Sequence, residues 1–189
     1  MARPALIDRS SVVSAALELA DERGLDAVTM QAVARHLGVT PMALYRHVEH
    51  KDDLLDALVE RLLSEVPAPD PALAWQERLG AMGRSVREVA HRHPHVFPLL
   101  LQRPAATVAA RESRDRVIAA IVEGGADRAA AGRIERVVSS MILGFTASEA
   151  SGRFREHSRD VVDADYALLE RLVAAALSEL LTESRDERR

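Results

Sequence analysis

MQAVARHLGVTPMALYRHV, residues 30–48, holds two helical spacings broken by one glycine. Met30, Val33, Ala34 and Leu37 fall at i, i+3, i+4 and i+7, and Pro41, Leu44, Tyr45 and Val48 repeat the interval. Thr29 is placed to cap the first of these helices and Gly38 to close it. Thr40 followed by Pro41 is an N-cap with proline at the first helical position, which restarts the chain at once. Each helix has only two or three turns, so neither buries its apolar side without a third wall. A helix over Arg9–Arg23, capped by Asp8 or Ser10 and ended by Gly24, supplies that wall. Three short helices with a sharp turn between the last two describe a helix-turn-helix, whose last helix fits the major groove. The same spacing also suits an ordinary helical corner, and spacing alone does not separate the two.

Outward from this core, the periodicity stays helical. Asp52 and Asp53 open a fourth helix over Lys51–Ser64, where carboxylates offset the macrodipole. Its Leu54, Leu55 and Leu58 are expected to face the helix-turn-helix, and Leu62 or Leu63 the rest of the molecule. Pro67, Pro69 and Pro71 then interrupt the chain and mark a boundary, giving domains 1–66 and 67–189. Beyond it, Trp75, Leu79, Met82, Val86 and Val89 form one stripe. Ile134, Val137, Val138, Met141, Ile142 and Phe145 form a second, and Leu169, Leu172, Val173, Ala176, Leu177 and Leu180 a third. No segment alternates as a strand would, so the fold class is all-α. The polar tail 183–189 is expected to fray.

Of the 189 residues 48% are hydrophobic and 29% charged, which is enough apolar material for a sizeable core. The absence of cysteine excludes disulfides, thiolate metal sites and cysteine nucleophiles, and fits a reducing compartment. The longest run without a formal charge, 137–148, is 12 residues, too short to span a bilayer. The opening residues 1–4 lead into no apolar run of the signal-peptide kind. The expectation is a cytoplasmic protein with no membrane partner. A net charge of −4 speaks against nucleic acid until its distribution is considered. Residues 27–48 carry no acid at all but include Arg35, His36, Arg46 and His47. A local acid-free face meets the need of a phosphate backbone.

The stretch Gly38 through Val48, with Leu44-Tyr45-Arg46-His47-Val48 and then Lys51-Asp52-Asp53-Leu54-Leu55, resembles the DNA-binding region of the tetracycline repressor (TetR) family. The likeness extends over residues 9–63. Trp75-Gln76-Glu77, His93-Pro94 and Arg103-Pro104 resemble the regulatory domain of the tetracycline-repressor branch. The resemblance implies a double-stranded DNA operator, a homodimer and a small-molecule effector. It assigns phosphate contacts to Thr29, Thr40, Tyr45 and His47. Lys51, the only lysine beside 24 arginines, adds its charge to the free N–H groups at a helix start. Base reading then falls to Gln31, Pro41, Met42, Ala43 and Arg46. Gln31 suits adenine, Arg46 guanine or phosphate, and the small or apolar trio thymine methyls. Arg35 and His36 are expected to be solvated.

For the second domain the resemblance implies dimerisation and effector binding. Ser140, Gly144, Ala147, Leu169, Val173, Ala176 and Leu180 are the expected dimer interface, because small residues let helices approach closely and form a four-helix bundle. Met82, Val86, Phe97, Leu99, Arg103, Val117, Ile121, Met141 and Phe145 are the expected ligand pocket. Leu99 stands where the tetracycline-binding branch has a magnesium-binding histidine, which points to a less polar effector. His91, His93 and His95 alternate along the chain and Pro94 interrupts them, so no metal site and no cofactor are expected. No nucleophile–base pair stands out, so the chain is not read as an enzyme. The function expected is a ligand-responsive transcriptional regulator, most simply a repressor. The alternative is an effector-independent architectural DNA-binding protein.

Overall fold

The computed structural model describes residues 7–103 and 107–186, without side chains beyond residue 182; Pro104 and the opening residues 1–4 lie outside these. Among the described residues all regular structure is helical. Helix α1 (Arg9–Arg23) starts where Asp8 accepts the Ser11 N–H at 2.7 Å and the Ser11 hydroxyl accepts the Asp8 N–H at 2.9 Å. Helix α2 (Met30–His36) is capped by Thr29, whose hydroxyl oxygen accepts the Ala32 N–H at 3.1 Å. Gly38 then turns the chain with φ 68°, a left-handed value that favours glycine.

Helix α3 (Pro41–Leu44) continues in turns to Val48, whose N–H reaches the Leu44 carbonyl at 3.0 Å. Leu44 and Val48 are buried beneath it, but Pro41 and Tyr45 of the same spacing face solvent. A helix this short has room for only two anchors on its neighbours. Helix α4 (Lys51–Ser64) is capped by His50, whose Nδ1 accepts the Asp53 N–H at 3.0 Å. Sequence reading did not foresee that cap.

After the proline segment come α5 (Trp75–Arg92), α6 (Leu99–Gln102), α7 (Val108–Glu123), α8 (Arg128–Ala150) and α9 (Arg159–Asp186). Helix α9 runs on to Asp186, into the tail expected to fray. Helix α8 packs against α5, α6, α7 and α9, while α4 contacts α1, α6 and α7. One core runs from Val12, Ala16 and Leu19 through Val33, Leu44 and Val48 to Leu54, Leu58 and Leu62, and on to Val89, Val96 and Leu99. The apolar core therefore continues across the proline break. The three α4 leucines are fully buried, each stabilising the fold by about 1.5–3 kcal/mol. A second cluster joins Ile118, Ile121 and Leu181 with Trp75 and Leu79 packed on it. There Gly124 is required by close approach, since a Cβ would lie 2.8 Å from Leu181 and 2.9 Å from Trp75. No helix among the described residues is long and apolar enough to cross a membrane.

Candidate nucleic-acid interface and cavity

The helix-turn-helix end presents an outward face. Thr29, Gln31, Thr40, Pro41, Met42, Tyr45, Arg46 and Lys51 are exposed, and Ala43 and His47 half-buried. Met42 is 73% exposed, an apolar side chain left in water at the outer side of the short helix. Thr40 caps α3 without a side-chain bond, and Lys51 begins α4. Arg9, read from the sequence only as the start of a helix, holds this end together. It donates to the His47 carbonyl at 2.8 Å and to Asp53 at 3.0 Å, while Asp53 also accepts the Glu49 N–H at 2.9 Å. The Arg9 hydrogen bond holds the Asp53 carboxyl at about 2, well below the usual carboxylate range.

The other half of the molecule encloses a cavity of about 290 Å³. Its wall comes from α4 (Val59, Leu63), α5 (Trp75, Leu79, Met82, Val86), α7 (Arg114, Val117), α8 (Glu135, Val138, Ser139, Ile142) and α9 (Tyr166, Glu170, Val173, Leu177). Glu135 is buried, accepting the Ser139 hydroxyl at 3.0 Å and Arg114 Nε at 3.1 Å. Tyr166 is buried with its hydroxyl unpartnered among the described residues. Arg87 lies 4.5 Å over the Tyr166 ring and binds Glu149 through two bonds of 2.7 Å and Asp163 through one of 2.7 Å. The hydrogen bonds it donates to these carboxylates, Glu149 foremost, hold the Arg87 guanidinium above its ordinary range.

These two parts match two family models. Residues 12–58 fit the bacterial regulatory proteins of the tetR family, and residues 79–176 the tetracyclin repressor-like C-terminal domain. The chain belongs to the TetR family. It is 29% identical over 171 residues to the HTH-type transcriptional repressor DrrR1 of Streptomyces coeruleorubidus, covering 87% of this chain but 63% of that relative's length. Against an HTH-type transcriptional regulator of Mycobacterium tuberculosis the identity is 30% over 184 residues, covering 89% of this chain and 82% of the relative. Among solved structures, BioQ with its natural double-stranded DNA operator superposes with a TM-score of 0.78 and 28% identity, covering 92% of this chain and 99% of that one. A TetR from Acinetobacter baumannii bound to minocycline gives 0.77 and 28%, covering 89% and 96%. These TetR relatives are transcriptional regulators, not enzymes.

Three of the residues expected in the pocket reach the cavity and the others do not. Met82, Val86 and Val117 line the cavity. Phe97, Leu99 and Ile121 are instead buried in the core: the turn after α5 carries the first two inward, and Ile121 of α7 packs with Ile118 and Leu181. Met141 is 41% exposed on the outer side of α8, and Phe145 packs on Phe154 and Tyr166 at ring distances of 5.2 and 5.6 Å. Arg103 points to α4, bonding Asp56 and Asp52.

The expected interface also splits. Val173 lines the cavity and Ala147 is buried against Ala90 and Phe97. Ser140, Ala176 and Leu180 are exposed, with Gly144 and Leu169 half-buried. Val137, Leu168 and Leu172 stand out beside them at 60%, 45% and 56% exposure. His91 and His93 engage carboxylates: His91 Nε2 meets Glu149 at 2.9 Å, and His93 bridges Asp21 at 2.7 Å and Glu65 at 3.1 Å. Tyr166, Glu135 and Arg87 escaped the sequence reading as functional candidates.

Proposed function

We propose that this TetR-family protein is a cytoplasmic, ligand-responsive repressor that binds an inverted-repeat DNA operator as a homodimer and is released by a small, mostly apolar effector. Domains 1–66 and 67–189 then divide the labour. One observation carries the reading: α4 belongs to both halves. Its Leu54 and Leu58 are buried in the helix-turn-helix core, and its Val59 and Leu63 line the cavity. A ligand that reshapes the wall must act on the helix that positions the DNA-reading end. The cavity weighs against the effector-independent alternative, for which an apolar hollow has no use.

Thr29, Thr40, Tyr45, His47 and Lys51 are assigned to phosphates, and Gln31, Pro41, Met42, Ala43 and Arg46 to base edges. Homodimerisation is assigned to the outer ridge of α8 and α9. Val137 and Met141 sit four residues apart on α8, as do Leu168 and Leu172 on α9, all at least 41% exposed. Apolar rows of this kind on adjacent helices pair across a two-fold as a four-helix bundle. Selection from random duplexes with the full-length protein should yield an inverted repeat with half-site centres roughly 34–36 Å apart. The double variant Val137→Glu, Leu172→Glu should sediment as a monomer and lose the repeat. A single half-site bound as tightly as the repeat refutes the dimeric reading.

A further inference from the structure

The Tyr166 hydroxyl is one of three buried side-chain oxygens, with Asp21 Oδ1 and Thr146 Oγ1, that have no hydrogen-bond partner among the described residues. The residue is 3% exposed and lines the cavity. Its ring is fixed by Arg87 at 4.5 Å and by the edge of Phe145 at 5.6 Å. Oη lies against the α5 backbone at Gly83, where an added Cβ would approach it to 3.2 Å. Burial pushes the phenol well above its usual range, so the group keeps its proton and can donate it. A buried hydroxyl left unmatched favours any ligand that completes it, and disfavours an analogue lacking the matching atom.

The charges nearby are already matched. Arg84 binds Glu170 at 2.8 Å, and Arg87 holds Glu149 and Asp163. An ionic group entering beside Tyr166 would have to break one of these pairs, whereas a neutral acceptor need not. A second polar station lies further along α8. Glu135, with its side chain 8% exposed, uses its two oxygens for Ser139 and Arg114. A carboxylate accepts about four hydrogen bonds, so room remains for a donor from the cavity. The same built Cβ at Gly83 would lie 3.8 Å from Ile142, which puts Tyr166 Oη level with that residue. Glu135 is seven residues before Ile142, hence roughly 10 Å away along the helix. The rest of the wall is mostly apolar, with Leu79, Met82, Val86 and Val138 beside Gln76 and Ser113.

We propose that the cavity takes a rigid, neutral, mostly apolar molecule with a carbonyl oxygen at one end, accepting from Tyr166, and a hydroxyl or amine at the other, donating to Glu135. This rests on reading the cavity as the effector site and adds the chemistry of the effector. Trp75 is the only tryptophan and lines the cavity, so its fluorescence reports entry. The probes are 3β-hydroxy-5α-androstan-17-one, which has both groups at opposite ends of a rigid frame, 3β-hydroxy-5α-androstane, which lacks the carbonyl, and 5α-androstan-17-one, which lacks the hydroxyl. The hydroxyketone should bind the full-length protein at least about tenfold more tightly than either partial probe. Tyr166→Phe should erase only its advantage over the carbonyl-free probe, and Glu135→Leu only that over the hydroxyl-free one.

Equal affinity for the three probes, no binding of the hydroxyketone, or a Tyr166→Phe effect common to all three overturns the proposed ligand class. The hydrocarbon 1,6-diphenylhexatriene, followed by energy transfer from Trp75, tests the cavity itself. Both variants should bind it like the parent, which shows them folded, and the filling substitution Val138→Phe should exclude it. If it enters and is excluded in this way while the steroids fail to discriminate, the ligand class falls and the effector site stands. If Val138→Phe makes no difference to it, both fall.

Discussion

Replacing Asp53 with asparagine keeps the shape of the side chain and removes its charge. In the parent protein the carboxylate joins three pieces: Arg9 of α1, the Glu49 N–H after the reading helix, and its own position in the first turn of α4. The ordinary aspartate value of 3.8 falls to about 2, chiefly through the Arg9 hydrogen bond. At about 1.36 kcal/mol per pH unit that displacement corresponds to at most roughly 2.4 kcal/mol. Arg9 is half exposed, at 50%, so solvent screening reduces the stabilisation to about 1 kcal/mol. Because the folded-state value is depressed, the contribution is complete above about pH 4 and fades as the pH falls toward 2. Urea unfolding of parent and Asp53→Asn, at one protomer concentration and at pH 7, 5 and 3, measures the gap. We expect about 1 kcal/mol at pH 7 and 5 and a clearly smaller gap at pH 3. A gap that stays constant or widens on acidification refutes the argument, since the lost contribution would then not depend on the charge.

Three further outcomes bear on the proposed function. Lys51→Ala should weaken binding to all duplexes alike and reduce the salt slope by about one unit, measured by fluorescence anisotropy from 50 to 300 mM salt at roughly these concentrations. Gln31→Ala should relax preference at one base pair by about 1–3 kcal/mol, read by competition with single-position operator variants; a uniform loss of affinity would remove Gln31 from base reading. Arg103→Ala, which frees Asp52 and Asp56, should speed amide exchange at residues 52–56 several-fold while global stability falls by no more than about 1 kcal/mol. Unchanged exchange there would mean that the guanidinium does not restrain α4.

The DNA-reading end was largely legible because its signals are local. Asp8 and Thr29 act through bonds to residues three positions away, Gly38 through a left-handed turn and Pro41 through its fixed φ at the first helical position, and all of these survive in the fold. The His50 cap was not legible, since histidine is an unusual residue for that role. In the larger half, periodicity located the helices but could not tell their faces apart. The stripe Ile134 to Phe145 contains Val138 and Ile142 on the cavity and Val137 and Met141 in solvent. Both faces are apolar, so one broad stripe covers two roles. Phe97 and Leu99 went to the core because the turn at His93–Pro98 tucks inward, a tertiary choice no local spacing encodes. One signal was available. Glu135 stands at i, i+3, i+7 with Val138 and Ile142, an acid in line with an apolar row. Tyr166 likewise precedes Leu169 and Val173 at i+3 and i+7. A polar tip on an apolar row marks a cavity wall better than the row itself.

The way α4 is held suggests how far a ligand's effect can travel. Asp52, Asp56 and Glu60 recur every four residues along one edge of the helix. Arg103 grips the first two, and Glu60 accepts the Ala109 N–H in the first turn of α7 at 3.1 and 3.3 Å. Helix α7 also supplies Arg114 and Val117 to the cavity wall. At the far end of α4, Glu65 is met by Arg61, Arg92 and His93, and His93 reaches on to Asp21 of α1. Burial opposes ionisation of Glu65, yet the bonds from Arg61 and His93 hold its carboxyl below the usual range. On the proposed reading, α7 cannot shift around a ligand without pulling the Glu60 edge, and α4 cannot tilt without straining His93 between two carboxylates. The exposed pairs of Arg103 are worth about 0.2–1 kcal/mol each, and the bonds of His93 and Glu60 are part-buried. Several acting together reach the 1–3 kcal/mol typical of coupling between sites, without a larger rearrangement. The same linkage runs in reverse. Operator DNA, by fixing the tilt of α4, must weaken ligand binding in the cavity by the factor with which the ligand weakens the operator complex.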